Sequence, residues 1–331
     1  MIANRFVRVL AAPVLAIGIA LVVSAILLRL SGDDPGALID VITGDGFTQR
    51  SLTLTLNRAA PYYISAIAVA VGFKMKLFNI GVEGQYRLAA LVAAAVGAAV
   101  VLPAPIHIAV INAAGMLTGL VWAGIAGVLR ATRGVSEVIS TIMLNAIALG
   151  LTPYLLETFF RRPSRGQGDY AKTTRTIAES GHLPSLDNLL EAIGINPQQG
   201  AKLQSFVLVA ALVGVAFHVL VNRSRFGFDL RASGSNPTAA AASGIDAKRM
   251  VIAAMCISGA AAGLVGLGPI LTEPNYYSAD VVVGGLGFTG IAIALLGRNH
   301  PVGIAFAALL WAFMDILQTP LTRAGLPREI V

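Results

Sequence analysis

The chain has 331 residues, of which 56% are hydrophobic and 12% charged, and its mean hydropathy is +0.76. A soluble domain carries about twice that fraction of charged residues. The sequence contains repeated apolar runs, and their length is close to the roughly 20 residues that a helix needs to cross a bilayer. The sequence therefore predicts an all-α, polytopic membrane protein, and its long continuous runs exclude a β-barrel. The net charge of +7 does not indicate nucleic-acid binding, because the basic residues lie largely in loops and at the ends of apolar runs.

Five apolar runs in the first half are predicted to be membrane spans. Arg5 and Arg8 precede the first run and place the N-terminus in the cytosol. The acidic segment that follows this run fits the outside. The predicted spans are residues 9–30, about 52–72, 88–102, 106–129 and 135–159.

Residues 78–85, Phe-Asn-Ile-Gly-Val-Glu-Gly-Gln, interrupt the apolar pattern between the second and third predicted spans. Irregular backbone at membrane depth persists only where protein or a water-filled cavity surrounds it. One interpretation is a broken or re-entrant helix that borders a polar pathway, with Glu83 bracing the break through backbone hydrogen bonds. The alternative is a plain cytosolic turn in which Glu83 is solvated.

Asn145 lies near the middle of the fifth predicted span and also has two interpretations. An asparagine at that depth either joins neighbouring helices by hydrogen bonds, which is the commoner role, or lines a path. The pattern alone leaves both open.

The longest hydrophilic stretch, residues 160–203, lies outside if the spans alternate. Its proline, glycine and asparagine content predicts an ordered lid with little regular structure. A lid that contacts an external delivery protein and a merely solvated loop both fit this composition.

The polar interruption at residues 222–249 is assigned to the cytosol, and its inner part has the marks of a short helix. Asn236 is a typical N-cap, Pro237 fits the first helical position, and the alanines at 239–242 are strong helix formers. Gly244 is a natural stop. A short helix with an alanine face between two spans suits docking into a groove on another protein, and a solvated loop is the alternative.

The second half of the chain repeats the arrangement of the first. A glycine-rich segment, residues 284–290, leads into a short apolar run. Paired interrupted segments are typical of an internally duplicated transporter whose path lies between the repeats. We therefore expect one transmembrane domain over residues 1–331, with half-repeats of roughly 50–160 and 204–320. The predicted spans of this half are residues 206–221, 250–271, a short span that ends at 297, and 302–317, which brings the total to about nine.

Polar side chains within spans are expected to point away from lipid, because lipid exposure costs about a few kcal/mol for a charge. They are predicted to line the path between the halves. An uncharged, hydrogen-bonding solute such as a nucleoside or a sugar suits these side chains. The residues predicted to border the path are Asn79, Glu83, Gln85, Asn145 and Thr289, with Phe288 or Phe78 as an aromatic face.

Motifs for catalysis are absent from the sequence. It contains no phosphate-binding G-x-x-x-x-G-K-[ST] loop, no G-x-S-x-G nucleophile motif and no metal-ligand spacing of His, Cys and carboxylates. We therefore expect no catalytic residue, no metal site and no cofactor. Uphill transport would have to be driven by ion coupling or by a separate ATPase. The single cysteine, Cys256, lies in an apolar run.

Four segments carry a family resemblance: 78–85 (FNIGVEGQ), 141–145 (TIMLN), 231–245 (RASGSNPTAAAASGI) and 287–301 (GFTGIAIALLGRNHP). In this order they resemble the permease subunits of bacterial ABC importers that handle branched-chain amino acids, simple sugars and nucleosides. The first and last segments most resemble the nucleoside/simple-sugar branch. The resemblance covers most of residues 50–320.

The resemblance implies about nine to ten transmembrane helices in two related halves, in the bacterial inner membrane, with a cytoplasmic N-terminus. It also implies three partners: an ABC ATPase subunit, a second permease subunit of the same or another chain, and an extracytoplasmic solute-binding protein. Permeases of this family finish with one more span than is predicted here. The segment 231–245 is the one that docks on the ATPase, and the resemblance favours the re-entrant interpretation of 78–85. The residues assigned to coupling are Arg231, Asn236, Pro237, Ala240, Ala241 and Gly244.

The leading hypothesis is thus a passive membrane subunit of an ATP-driven importer for a nucleoside or a simple sugar. One alternative is a permease for another small solute, such as a branched-chain amino acid or a vitamin. Others are a carrier or channel that works without an ATPase and a membrane scaffold that moves no solute.

Overall fold

The computed structural model describes residues 18–19, 22–164, 166, 169–192, 194 and 201–326. Over these residues the chain is all-helical, as predicted, and strand-type pairing in them is limited to two isolated bridges. The basic residues Arg5 and Arg8, the start of the first predicted span and the C-terminal segment 327–331 lie outside the described residues.

The helices coincide closely with the predicted spans, and further short helices lie between them. A π-helical turn, Val41–Asp45, follows the second helix, and another, Leu156–Phe160, follows the sixth. The helices are α1 (Val22–Ser31), α2 (Pro35–Asp40), α3 (Gln49–Lys74), α4 (Val82–Ala99), α5 (Ala104–Arg133), α6 (Glu137–Leu155), α7 (Asp187–Ala192), α8 (Phe206–Asn222), α9 (Arg225–Ser235), α10 (Pro237–Ala242), α11 (Ala247–Ala262), α12 (Gly268–Leu271), α13 (Leu286–Leu296) and α14 (Pro301–Arg323).

Among the described residues, four helical stretches are long and apolar enough to cross a membrane. A fifth span results if α8 and α9, which are bent by 68° at a short break, are counted together. The expected total of nine to ten spans is therefore not confirmed. The four stretches are Ala104–Arg133, Glu137–Phe160, Ala247–Leu271 and Pro301–Arg323.

Helices α3 and α4 account for part of the difference. They have 26 and 18 residues, but they carry polar and charged side chains, such as Arg58 in α3 and Glu83 and Arg87 in α4. Most of α4 is buried, and it contacts α5, α6, α11 and α13. Ionisable side chains within membrane proteins face the interior of the helix bundle, so a central helix does not need the apolar composition of one that faces lipid.

The chain divides into two compact units, residues 1–55 with 313–331 and residues 56–312. In the described part of the first unit, the rings of Phe47 and Phe313 lie 5.4 Å apart between centroids. Buried leucines and one valine form a small apolar cluster beside α2 and the end of α14. Its members are Leu28, Leu38, Val41, Leu317, Leu321 and Leu326.

In the second unit, α5 and α11 approach each other so closely that their backbones touch. Glycines line both sides of this contact, with Gly115 and Gly119 on α5 facing Gly259 and Gly263 at the end of α11. A Cβ atom at Gly119 would lie 2.8 Å from the backbone nitrogen of Gly263. Small residues permit this approach, which is a common way to pack helices within membranes.

The described part of the hydrophilic loop is held in place by backbone hydrogen bonds. Amides of three of its residues donate to carbonyls in the segment 271–277, over 2.6 to 3.0 Å. Its regular structure is limited, in the described residues, to the turn Glu179–Gly181 and α7. The prediction of an ordered segment with little regular structure is confirmed for those residues. The three pairs are Thr174 with Tyr277, Ile177 with Asn275, and Leu183 with Leu271.

We expect Gly119→Val to separate α5 from α11 and lower the free energy of unfolding by about 1–3 kcal/mol, the usual cost of overpacking. Thermal unfolding of the purified variant, followed by tryptophan fluorescence, measures the change. Gly150→Val is the matched control, because Gly150 lies in helix α6 and a Cβ there meets nothing within 4 Å. Equal stability of the two variants would contradict a contact between the backbones.

Candidate functional site

The first glycine-rich segment contains a break between two helices. Helix α3 ends at Lys74, residues 75–81 are not helical, and α4 begins at Val82. Lys76 has a positive φ of 58°, and the Leu77 amide donates to the Gly72 carbonyl over 3.0 Å. The expected break is therefore present, and the last four residues of 78–85 form the first turn of α4.

A second break precedes α13, at the predicted position. Gly285 has a φ of 86° and is the N-cap of this helix, a conformation that favours glycine. A Cβ atom at Gly287 would lie 3.0 Å from the Cα of Glu83. The start of α13 and the start of α4 are thus in direct contact.

The Glu83 carboxylate joins the two breaks. Its Oε1 accepts hydrogen bonds from the Tyr86 hydroxyl and Arg87 Nε, both over 2.8 Å, and from the Gly285 amide over 3.0 Å. Its Oε2 accepts from the Gly287 amide over 3.0 Å. A carboxylate suits this place because the amides at the N-terminus of a helix attract negative charge.

Glu83 is only 6% exposed, so the alternative of a plain turn with a solvated Glu83 is wrong. The brace that the sequence predicted is present, with one difference. The backbone donors come from the second break, about 200 residues away along the chain, and not from the segment that contains Glu83.

Asn79 and Gln85 form a reciprocal amide pair across the first break, with hydrogen bonds of 3.0 and 2.9 Å. Asn79 Nδ2 also donates to the Ser258 hydroxyl over 2.8 Å, and Ser258 donates to the Ala68 carbonyl over 2.6 Å. This cluster joins α3, the first break and α11. Both amides are buried.

Asn145, on α6, closes the other side of the break. Its Oδ1 accepts from the Gly84 amide and its Nδ2 donates to the Ile80 carbonyl, each over 2.8 Å. Asn145, Asn79 and Gln85 therefore all make contacts that hold segments together, which is the packing role that the sequence left open. Their role in bordering a path stays a prediction.

Phe288 and Thr289 differ from these amides because they reach a surface. Phe288 is 58% exposed and Thr289 is half-buried, both in the first turn of α13. Phe78 is 45% exposed and packs edge-on against Phe73, with ring centroids 4.8 Å apart. Phe288 and Phe78 are therefore the exposed residues among those predicted to border the path, and their role in a path stays a prediction.

The polar interruption contains one helix that the sequence analysis missed. Helix α9 begins after Ser224, whose hydroxyl accepts from the Gly227 amide over 3.0 Å. Phe226 and Leu230, four residues apart, pack inward. A serine followed by apolar residues at this spacing is the local signal of an amphipathic helix.

Helix α10 has the predicted ends. Asn236 Oδ1 accepts from the amides of Thr238 and Ala239, each over 3.1 Å, and Pro237 is the first helical residue. Gly244 has a φ of 82°, as expected for a residue that stops a helix.

Two of the residues assigned to coupling make contacts within the chain, and their role in coupling stays a prediction. Ala240 is 3% exposed, because it faces the chain itself, and the outward face contains Ala239 and Ala241 instead. The Arg231 guanidinium donates to the Val221 carbonyl, so this side chain stabilises the bend between α8 and α9.

The polar interruption also touches the first break. A Cβ atom at Gly234, near the end of α9, would lie 2.6 Å from the Met75 Cα and 2.9 Å from the Lys74 carbonyl oxygen. The backbones of α9 and of the turn after α3 are therefore in contact. Asn79 follows Met75 by four residues, which connects the outer helices α9 and α10 to the buried hydrogen-bond network.

Potential metal ligands do not cluster here, since no group of three His, Cys, Asp or Glu side chains lies together in the part of the chain that the structure describes.

A family model described as branched-chain amino acid transport system / permease component matches residues 51–329. The guanosine ABC transporter permease protein NupP of Bacillus subtilis (strain 168) is 35% identical over 96% of this chain and 88% of its own length. The nucleoside ABC transporter permease protein NupB of Lactococcus lactis subsp. cremoris (strain MG1363) is 31% identical over 99% and 89%. The glucose ABC transporter permease protein TsgB13 of Haloferax volcanii is 34% identical over 96% and 83%. No solved structure matches this chain.

We expect Glu83→Gln to lower the free energy of unfolding by about 2–3 kcal/mol, the value of hydrogen bonds to a charged group. Glutamine keeps one acceptor oxygen, but its NH₂ group faces a donor and Arg87 loses its counter-charge. Thermal unfolding of the purified variant measures the loss.

Glu157→Gln is the control for this substitution. Glu157 pairs with Lys172 at an exposed position, where an ion pair contributes about 0–1 kcal/mol. Normal stability of Glu83→Gln together with altered solute selectivity would assign Glu83 to the path and not to the brace.

Proposed function

The chain belongs to the family of branched-chain amino acid transport system permease components, and we propose that it is the membrane permease subunit of an ATP-driven importer for nucleosides. Two of the three relatives described above are named for guanosine or nucleosides, and the third for glucose. These solutes are uncharged and rich in hydroxyl groups. A simple sugar is therefore the second candidate, and a branched-chain amino acid or a vitamin has less support.

The charge distribution at the start of α13 supports an uncharged solute. Arg87, whose guanidinium lies beside Gly284, is paired with Glu83 and is no free counter-charge for an anion. Phe288 offers an aromatic face for a base, and Thr289 beside it offers a hydroxyl for hydrogen bonds. In our proposal the path runs along the start of α13, and Asn79, Gln85 and Asn145 position its walls.

The contact between Gly234 and Met75 is the observation that carries the coupling mechanism. In the proposal an ATPase subunit docks on the outward face of α10 in the cytosol. Movement there passes through α9 to the turn after α3, because their backbones touch. The turn continues into the Asn79 and Glu83 network, which holds the start of α13. Docking and path are thereby connected without a long flexible linker.

The remaining parts of the system follow from family membership as proposals. The chain has no phosphate-binding loop, so the ATPase is a separate subunit. A second permease subunit, of the same or another chain, completes the path. An extracytoplasmic solute-binding protein delivers the solute to a complex in the bacterial inner membrane, with the N-terminus of this chain in the cytoplasm.

Reconstitution tests the proposal. We expect vesicles that contain this chain, its second permease subunit and the ATPase to take up radiolabelled guanosine only with ATP. Ala241→Glu puts a charge on the outward face of α10, where the ATPase would bury it without a partner. A factor of ten in affinity corresponds to about 1.4 kcal/mol, and an unpaired buried charge costs more than that. We therefore expect this variant to lower uptake by about tenfold or more.

Ala241→Ser, a small uncharged change at the same exposed position, is the control and should transport normally. Uptake without the ATPase would instead identify a self-sufficient carrier or channel, and no uptake of any solute would identify a scaffold. Full uptake by the Ala241→Glu variant would contradict the assignment of α10 to the docking surface.

We expect a cysteine at Phe288 to react with a water-soluble thiol reagent at a rate that changes with nucleotide state and falls when guanosine is present. The background is Cys256→Ser, which removes the native thiol. Leu212→Cys is the control, because Leu212 is 68% exposed and lies on α8, a helix that contains neither break. Identical labelling at both positions, unaffected by solute, would contradict a path along the start of α13.

A further inference from the structure

Arg87 is an ionisable side chain in the interior of the helix bundle. It lies in the second turn of α4, a helix that is mostly buried, yet 22% of its side chain is exposed. Its Nε donates to Glu83 Oε1 over 2.8 Å, so its charge is compensated within the chain. An arginine at such a position is costly in a membrane protein and by default indicates a functional site.

The pairing with Glu83 leaves most of the guanidinium donors unused. A guanidinium carries five N–H donors, and the hydrogen bonds between the described residues use only the one on Nε. The Tyr86 hydroxyl also interacts with this group, but the two lone pairs of one oxygen leave at least two of the other four N–H groups without an acceptor. Among the described residues, the buried side-chain atoms that lack a partner do not include Nη1 or Nη2, so both nitrogens reach a surface. These donors are therefore accessible to a ligand.

Gly284 keeps the end of Arg87 uncovered. A Cβ atom at Gly284 would overlap Nη2 and lie 3.5 Å from Cζ, so a larger residue there would displace the guanidinium. Gly284 and Gly285 are both exposed, and Phe288, also exposed, follows in the first turn of α13. The end of Arg87 thus lies beside the exposed segment that leads into α13.

Paired donors whose charge is already compensated favour a neutral ligand with two adjacent acceptors. Nη1 and Nη2 form a planar fork, and O6 and N7 of guanine or hypoxanthine are two acceptors that an arginine fork matches. Adenine instead offers N7 beside the N6 amino group, which is a donor. An aromatic ring such as that of Phe288 stacks on any base, so it adds affinity without choosing between bases.

We propose that Arg87 contacts the solute and determines its specificity: Nη1 and Nη2 donate to O6 and N7 of a 6-oxopurine nucleoside, the class that contains guanosine and inosine. The identity of the ligand rests on the proposed nucleoside function. In this arrangement Glu83 holds and neutralises the guanidinium through Nε, which leaves its outer edge to select the base. Selection then takes place at the start of α13, beside the break that the Glu83 carboxylate stabilises.

Equilibrium binding to the full chain in phosphatidylcholine nanodiscs tests the proposal. The probes are guanosine, inosine, adenosine and cytidine, each measured by isothermal titration calorimetry. We expect inosine, which keeps O6 and N7, to bind within about threefold of guanosine, and adenosine to bind about tenfold more weakly, because a bidentate arginine discriminates by about this factor against the wrong base.

Arg87→Lys separates contact with the base from support of Glu83. A lysine four residues after Glu83 keeps a positive charge within reach of the carboxylate, but it lacks the planar fork. We expect this variant to bind guanosine about tenfold more weakly and adenosine with unchanged affinity. Its unfolding temperature should stay close to that of the unmodified chain.

Gly284→Ala is a second variant, which changes neither charged residue. The added methyl group displaces Nη2, while Glu83 keeps the amide donors of Gly285 and Gly287. We expect the same loss of discrimination between guanosine and adenosine.

Arg162→Lys is the matched control, because Arg162 forms a fork with Asp169, over 2.7 and 2.8 Å, in the hydrophilic loop and not at the breaks. Its nucleoside affinities should equal those of the unmodified chain. Equal binding of guanosine and adenosine to the unmodified chain, no guanosine binding, or a preference for guanosine that Arg87→Lys retains would overturn the proposal.

Two other outcomes also contradict a contact with a 6-oxopurine. An equal loss of affinity for all four nucleosides in Arg87→Lys, together with a lower unfolding temperature, would make Arg87 a structural residue only. Cytidine, which also has two adjacent acceptors, would have to bind as tightly as guanosine for the fork to select a pyrimidine instead.

Uptake by the reconstituted complex distinguishes this proposal from the proposed transport function. ATP-dependent guanosine uptake that adenosine inhibits as well as inosine does, in the unmodified chain and in Arg87→Lys alike, refutes the role of Arg87 alone. Arg87-dependent binding of guanosine without uptake of any nucleoside refutes the proposed transport function alone.

Discussion

A buried carboxylate needs hydrogen-bond donors on both of its oxygens, and this requirement organises the centre of residues 56–312. Moving an ion from water into a protein interior costs several kcal/mol unless the surroundings compensate it. At Glu83 the compensation comes from one guanidinium, one phenol and two backbone amides. The amides belong to the start of α13, so the charge can be satisfied only when the two glycine breaks are together. Glycine at 287 is required for the same reason, because a side chain there would collide with α4.

The side-chain amides near this carboxylate satisfy polar groups of the backbone in the same way. Residues 75–81 lack the hydrogen bonds of a helix, and unpaired polar groups at membrane depth are costly. Asn145 satisfies the Ile80 carbonyl and the Gly84 amide, and Asn79 satisfies the Gly81 amide. The break is consequently a fixed structure held by side chains from α6 and α11. A fixed break suits a part that transmits displacement from α9 to α13.

Local features of this chain could be predicted from the sequence, whereas long-range ones could not. Asn236, Pro237 and Gly244 define the ends of α10 through their own backbone chemistry, and the structure agrees. The backbone donors to Glu83, the amides of Gly285 and Gly287, lie about 200 residues away, and no spacing rule connects them. Ala240 shows the same limit, because an alanine-rich helix gives no sign of which face is buried. The predicted number of spans is not confirmed by the hydropathy of the described helices, since buried helices such as α4 carry polar and charged side chains.

The glycine contact between α5 and α11 determines which kinds of conformational change this protein permits. Sliding of packed helices, or shear, relies on side chains that exchange rotamers as the interface moves. At Gly119, Gly259 and Gly263 the interface is backbone against backbone, so no side chain lies between the two helices there to repack. The two helices therefore move as one rigid element, and rotation about them is left to hinges. The segment without helical hydrogen bonds before α13, where Gly285 has a φ of 86°, is the hinge candidate, because the break at 75–81 is fixed by its hydrogen bonds.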